Sequence, residues 1–156
     1  SLFLDGELLA RLESADPLRR LRAEQQDDLW KVLEGLSHFN CVVWKASRDR
    51  RLSFLEMELQ AEIDKFVGTT LLALSQGRTD MLNHIHGWLV DQVSFHAELD
   101  DEQLTRYRAA NEYAARFCHA LRSRLVEDGG TVLSELRRFF RLPMTDKISH
   151  IHSRTL

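Results

Sequence analysis

Cysteine is scarce, with two in 156 residues. Cys41 and Cys118 each sit inside an apolar stretch, which excludes the dense, even framework of a disulfide-stapled secreted domain. Two buried thiols in a reducing, cytoplasmic compartment are the expectation. No apolar run approaches the ~20 residues of a membrane span, and the opening "SLFLDGELLARLE" carries acids where a signal peptide is basic and then apolar. No membrane partner is expected. Charge of either sign is not in excess, at 21 Lys and Arg against 24 Asp and Glu, a net −3. That gives no general attraction to nucleic acid, and the short clusters "RRLR" and "RDRR" read as solvated helix faces. There is no Gly-rich phosphate loop, no Cys-x-x-Cys, no Glu-x-x-His pair of the di-iron bundle kind and no nucleophile elbow, so an enzyme built on a familiar site is not expected.

Apolar residues recur at helical spacing almost everywhere and nowhere alternate long enough to make a strand. The fold class is therefore all-α, and a chain of this length can bury the core of one domain. A short helix over about 5–13 precedes "SADPL", where Asp16 and Pro17 mark a helix start. From there to about Lys45, Leu29, Val32, Leu33, Leu36, Phe39 and Val43 form one stripe, which Gly35 could divide. "ASRDRR" reads as a turn. Leu52, Leu55, Leu59, Ile63, Phe66, Thr70 and Leu74 line the next helix, closed by Gly77, and Thr79 with Asp80 caps the one after. That helix, over about 80–97, places Leu82, Ile85, Leu89, Val93 and His96 on one face. Leu104, Tyr107, Asn111, Ala114, Cys118, Leu121 and Leu125 form the seam of a long helix that "EDGGT" ends. A shorter helix runs to Arg141, and the tail "MTDKISHIHSRTL" has too few apolar residues to pack well.

The histidines carry what chemistry is visible. "HIH" occurs at His84/His86 and at His150/His152, and residues two apart on a helix diverge by about 200°, so neither pair shares one ion. His119 beside Cys118 reads as a boundary histidine next to a core thiol. His96 faces inward among Leu89, Val93 and Leu99, and both ring nitrogens need partners. A carbonyl of the preceding turn or Asp100 is the plain answer. A haem iron is the other, because neutral imidazole is an axial ligand and the aliphatic wall suits a porphyrin face.

The helix order, with "HAEL" (His96, Leu99) ahead of a short turn and a long helix, resembles the bacterial globin-coupled sensors. "ADPL", the His38–Phe39 pair followed by Val42, Val43 and Trp44, and "SFLEMELQ" at the head of a long helix are similar to that group. The resemblance covers about residues 8–141. It implies a globin-like bundle of about six to seven helices, with haem b on His96 or, in a haem-free relative, no cofactor. Phe39 stands where many sensor globins have a tyrosine, and it cannot donate a hydrogen bond to bound oxygen. Asp100 and Asp101 fall where the family has small residues.

On this resemblance, residues 1–141 form a sensory domain and 142–156 a C-terminal tail or the start of a linker to an output domain. A small-molecule ligand would enter a pocket lined by Phe39, Val43, Phe66, Leu89, Val93, His96, Leu99 and Tyr107. A homodimer, formed through a second edge at Ala110, Tyr113 and Phe117, would relay the signal. The alternative is a cofactor-free helical interaction or ligand-binding domain of a regulator or adaptor. A third reading, a metal-dependent helical-bundle enzyme, requires carboxylates and histidines that face one another.

Overall fold

A computed structural model describes residues 2–91 and 100–154. Among these, seven α-helices follow in order: α1 (Gly6–Ser14), α2 (Gln26–Ala46), α3 (Phe54–Ser75), α4 (Leu82–Asp91), α5 (Asp101–Glu127), α6 (Gly129–Phe140) and α7 (Met144–Arg154), and no strand is present. The all-α bundle is the architecture the periodicity predicts. Helix starts are set by side chains that accept from free backbone amides. Asp5 caps α1, Ser53 caps α3, Asp128 caps α6, and Asp100 with Gln103 forms a capping box on α5. Gly77, at φ +66°, ends the turn after α3 in the left-handed conformation that glycine tolerates.

The start expected at Asp16 and Pro17 is displaced to Gln26. Leu21 N–H donates to Gln76 Oε1 at 2.7 Å, Gln76 Nε2 donates to Pro17 O at 2.8 Å, and Arg78 Nη1 donates to Leu21 O at 2.8 Å. These bonds hold residues 17–21 against the end of α3, so tertiary contacts override the local signal. Thr79 makes no cap and instead opens a 3₁₀ turn, Thr79–Met81, in which Arg78 pairs with Asp80. Gly35 does not interrupt α2.

Helix α3 is the centre, packed chiefly between α2 and α5, with α4 against both α3 and α5. The core joins Leu59, Ile63 and Phe66 of α3, Leu29 and Trp30 of α2, Ile85 and Leu89 of α4, and Ala114, Cys118 and Leu121 of α5. The α5 seam is buried as expected from Asn111 to Leu125. Two expectations are corrected at the C-terminus. Residues 144–154 are a packed helix, not a tail, with Lys147 and Ile151 buried. Ala110 and Phe117, expected to form a dimer edge, are buried within the chain. Phe117 stacks on Phe139 at 4.5 Å and meets His150 edge-on at 5.7 Å, while Tyr113 lies 6.0 Å from His152. This edge is covered by α6 and α7, which removes it as a dimer surface.

The α2 stripe is corrected too. Leu29 is buried, but Leu36, Phe39 and Val43 are exposed, and the helix instead buries Ser37, Cys41 and Lys45. Its partner face on α3 carries Glu56, Gln60 and Asp64, so polar groups meet polar groups and α2 turns its apolar flank outward. Charged residues are almost never buried without partners. The α2–α3 seam is therefore where the chemistry of this protein concentrates.

Candidate metal centre

Two pairs spaced four apart, and so on one side of a helix, face each other across that seam: Glu34 and His38 on α2, Glu58 and Glu62 on α3. Donor atoms of Glu34, His38 and Glu58 all lie within 4.8 Å of one another. His38 Nε2 is 3.6 Å from Glu58 Oε1. Below them, Lys65 Nζ donates to Glu62 Oε1 at 2.7 Å and reaches Glu34 Oε2 at 3.4 Å. Tyr107, from α5, donates its hydroxyl to Glu62 Oε1 at 3.3 Å.

Three carboxylates here face one ammonium, an excess of negative charge in a desolvated place. The groups respond as that imbalance requires. Burial, with Glu34 and Glu62 nearby, pushes the Glu58 carboxyl up to about 7. Burial also raises Glu62, against the pull of Lys65. Burial lowers His38, which keeps the imidazole neutral with a lone pair to offer. Burial and then Glu62 push the Tyr107 phenol well above its ordinary range. His38 Nε2 and Glu62 Oε2 are both buried with no hydrogen-bond partner among the described residues, and Glu62 as a whole is 1% exposed. A buried carboxylate oxygen left unpaired costs roughly 1–3 kcal/mol or more, so this corner of the seam is short of one positively charged or donating group.

An imidazole nitrogen and carboxylate oxygens suit Zn²⁺, Mn²⁺ or Fe²⁺. Ligand bonds near 2.1 Å place neighbouring tetrahedral donors about 3.4 Å apart, which side-chain rotation can reach from the spacing found here. Glu34, the outermost of the three, has a side chain 39% exposed and supplies both that freedom and an entry path.

The second half of the seam contrasts with the first. Lys45 Nζ and Lys147 Nζ pair with Glu56 Oε1 at 2.8 and 3.2 Å, Gln60 donates to Asp64 at 2.9 Å, and Ser37 donates to Asp64 at 2.6 Å. Two ammoniums balance two carboxylates. This network joins α2, α3 and α7 without calling for a ligand. Burial pushes the Cys41 thiol up to about 11 and raises Cys118, so both free cysteines stay protonated and unreactive.

The residues expected to line one ligand pocket are dispersed. Phe66 and Leu89 are closed in the core, while Phe39 and Val43 are 38% and 49% exposed on the outer flank of α2. Tyr107 belongs to the carboxylate cluster. Val93, His96 and Leu99 lie outside the described residues. The described members are thus divided between the core, the outer flank of α2 and the carboxylate cluster. The "HIH" pairs diverge as expected: His84 stacks on Trp88, His86 meets the His119 ring at 5.4 Å, His150 binds Glu135 at 2.9 Å, and His152 lies by Tyr113.

Glu34, His38, Glu58, Glu62 and Lys65 are not visible as a site in the sequence, because they form no Glu-x-x-His motif. The available signal was the four-residue spacing, Glu34-x-x-x-His38 and Glu58-x-x-x-Glu62, on two adjacent long helices. Comparison with protein-family models, curated proteins and solved structures finds no match, so the site alone carries the functional argument.

Proposed function

We propose that this protein is a regulatory helical module that binds one divalent transition-metal ion through Glu34, His38 and Glu58. The convergence of those three donors beside the unpartnered Glu62 oxygen carries the reading. An ion there would tie α2 to α3, offset the excess of carboxylate charge, and draw on Glu62 and Tyr107 to connect the site to the start of α5. Binding of a ligand that links helices stabilises the linked arrangement in proportion to its affinity, which is what a sensory input requires. Three protein ligands with the remaining positions open are also compatible with catalysis by a metal-bound water.

Titration calorimetry of the untagged protein with MnCl₂ and with ZnCl₂ tests this. One equivalent should bind the wild type with at least one of the two ions, and His38→Ala with Glu58→Gln should abolish it. Absence of binding by either ion, or binding that survives both substitutions, would remove the proposal.

A further inference from the structure

The opposite flank of α2 carries a second, independent feature. A groove of about 690 Å³ runs between α2 and α6, floored by Val43, Trp44, Val67, Leu133, Leu136 and Phe140. Trp44 meets Phe140 edge-on at 5.5 Å, which fixes the floor. Leu36 and Phe39 are exposed on the same helix, and with Val43 of the groove they make a stripe at the i, i+3, i+7 spacing of a helix face. Exposed apolar side chains gathered in this way mark an interaction site more often than isolated ones do.

The rim is basic. Arg137 and Arg141 line the groove, and the guanidinium carbons of Arg48 and Arg50 lie 4.2 and 5.7 Å from the Trp44 ring centre. Among the described residues none of these four arginines has an acidic ion-pair partner. Of the carboxylates nearby, Asp64 at the floor is engaged by Ser37 and Gln60, and Asp49 sits in the exposed turn between Arg48 and Arg50. Arg48 donates to Ser47 Oγ at 3.0 Å and to Trp44 O at 3.5 Å, but its charge, like that of the other three, meets no carboxylate partner among the described residues. Such arginines fringing an apolar groove, in a chain whose net charge is −3, are a local feature that the overall charge does not explain.

We infer that this groove docks an amphipathic helix of a partner protein, with leucine-like anchors on its inner face and glutamate or aspartate along its flanks. The space between two helices accepts a third through i, i+3 and i+7 anchors, and acidic flanks meet the arginine rim. A second copy of this chain is the wrong occupant, because symmetric pairing would set the arginines against their own copies. A lipid surface is wrong in shape, since the apolar floor is recessed between helices.

The test uses two designed helical peptides of about 18 residues, about 27 Å long, with the same leucine face and either glutamate or lysine flanks. Fluorescence anisotropy with the full chain should show saturable one-to-one binding of the acidic peptide and none of the basic one. Arg137→Glu with Arg141→Glu should weaken the acidic peptide at least tenfold and admit the basic one, and Val43→Asp should abolish both. Several results would overturn the inference: no saturation by the acidic peptide at about 1 mM, an affinity too weak for recognition; equal binding of both peptides; a dimer by light scattering that the arginine variant dissolves; or sedimentation with phosphatidylserine vesicles that depends on the same arginines.

Discussion

His38 Nε2 faces Glu58 Oε1 across 3.6 Å, from adjoining helices, with the nitrogen buried and making no hydrogen bond among the described residues. Burial disfavours the charged form of each, lowering the imidazole and raising the carboxyl to about 7. The pair sits between two outcomes, a shared proton or a shared cation.

Proton linkage gives the first prediction. The folded Glu58 carboxyl titrates at about 7 against 4.5 for its ordinary value. A raised acid binds its proton more tightly when folded, so its contribution to stability is fully present below 4.5 and is lost as the pH rises through 7. His38 acts in the opposite sense, its contribution being fully present above 6.5, its ordinary value, and lost as the pH falls below that through its lowered folded value, so the comparison must be with a variant that alters Glu58 alone. Glu58→Gln should be more stable than the metal-free wild type at pH 8, by about 1–3 kcal/mol, and the gap should close by pH 5. Urea unfolding at the two pH values measures it, and a gap independent of pH contradicts it.

Lys65 is 1% exposed and is the ammonium that holds Glu62. Lys65→Met leaves that carboxylate buried and uncompensated and should cost about 3–5 kcal/mol. Adding Glu62→Gln should restore much of the loss, so that thermal unfolding of the four forms yields a large coupling. Additive effects would mean that the two side chains are not a pair.

Helix α7 is part of the core and not an appendage. Ile151 is fully buried, and Ile151→Ala should destabilise the whole domain by about 2–4 kcal/mol in one cooperative transition. A loss of helical signal confined to the last turns, with the midpoint unchanged, would return residues 144–154 to the status of a tail.

The outer flank of α2 predicts the reverse. Leu36→Ser, Phe39→Ser and Val43→Ser should each change stability by less than about 1 kcal/mol, whereas Phe66→Ala, in the core, should cost about 3–5 kcal/mol. Denaturant midpoints decide between this rotation of α2 and one that buries Phe39.

The same rotation shows what could be read in advance and what could not. The α5 seam was legible because its apolar and small residues, from Ala114 to Leu125, face an apolar neighbour. The α2 seam was legible only at Cys41, a thiol expected to be buried; Ser37 and Lys45 beside it read as a solvent face until Glu56, Gln60 and Asp64 are set opposite them. Lys147 is a stronger case. Its ammonium is satisfied by Glu56 and Gln60, far away in sequence, so no local pattern around it signals burial. The carboxylate cluster had half its signal in the sequence, in two four-residue spacings. The other half, which turn of α2 lies against which turn of α3, is set by packing.

The most direct test of the metal centre is an anomalous difference map from crystals grown with MnCl₂ and measured at the manganese edge. The account predicts a peak about 2.0–2.3 Å from His38 Nε2 and from oxygens of Glu34 and Glu58. Crystals grown with ZnCl₂ and measured at the zinc edge complete the test: density only at the exposed histidines, or none at the α2–α3 seam with either ion, would contradict the account.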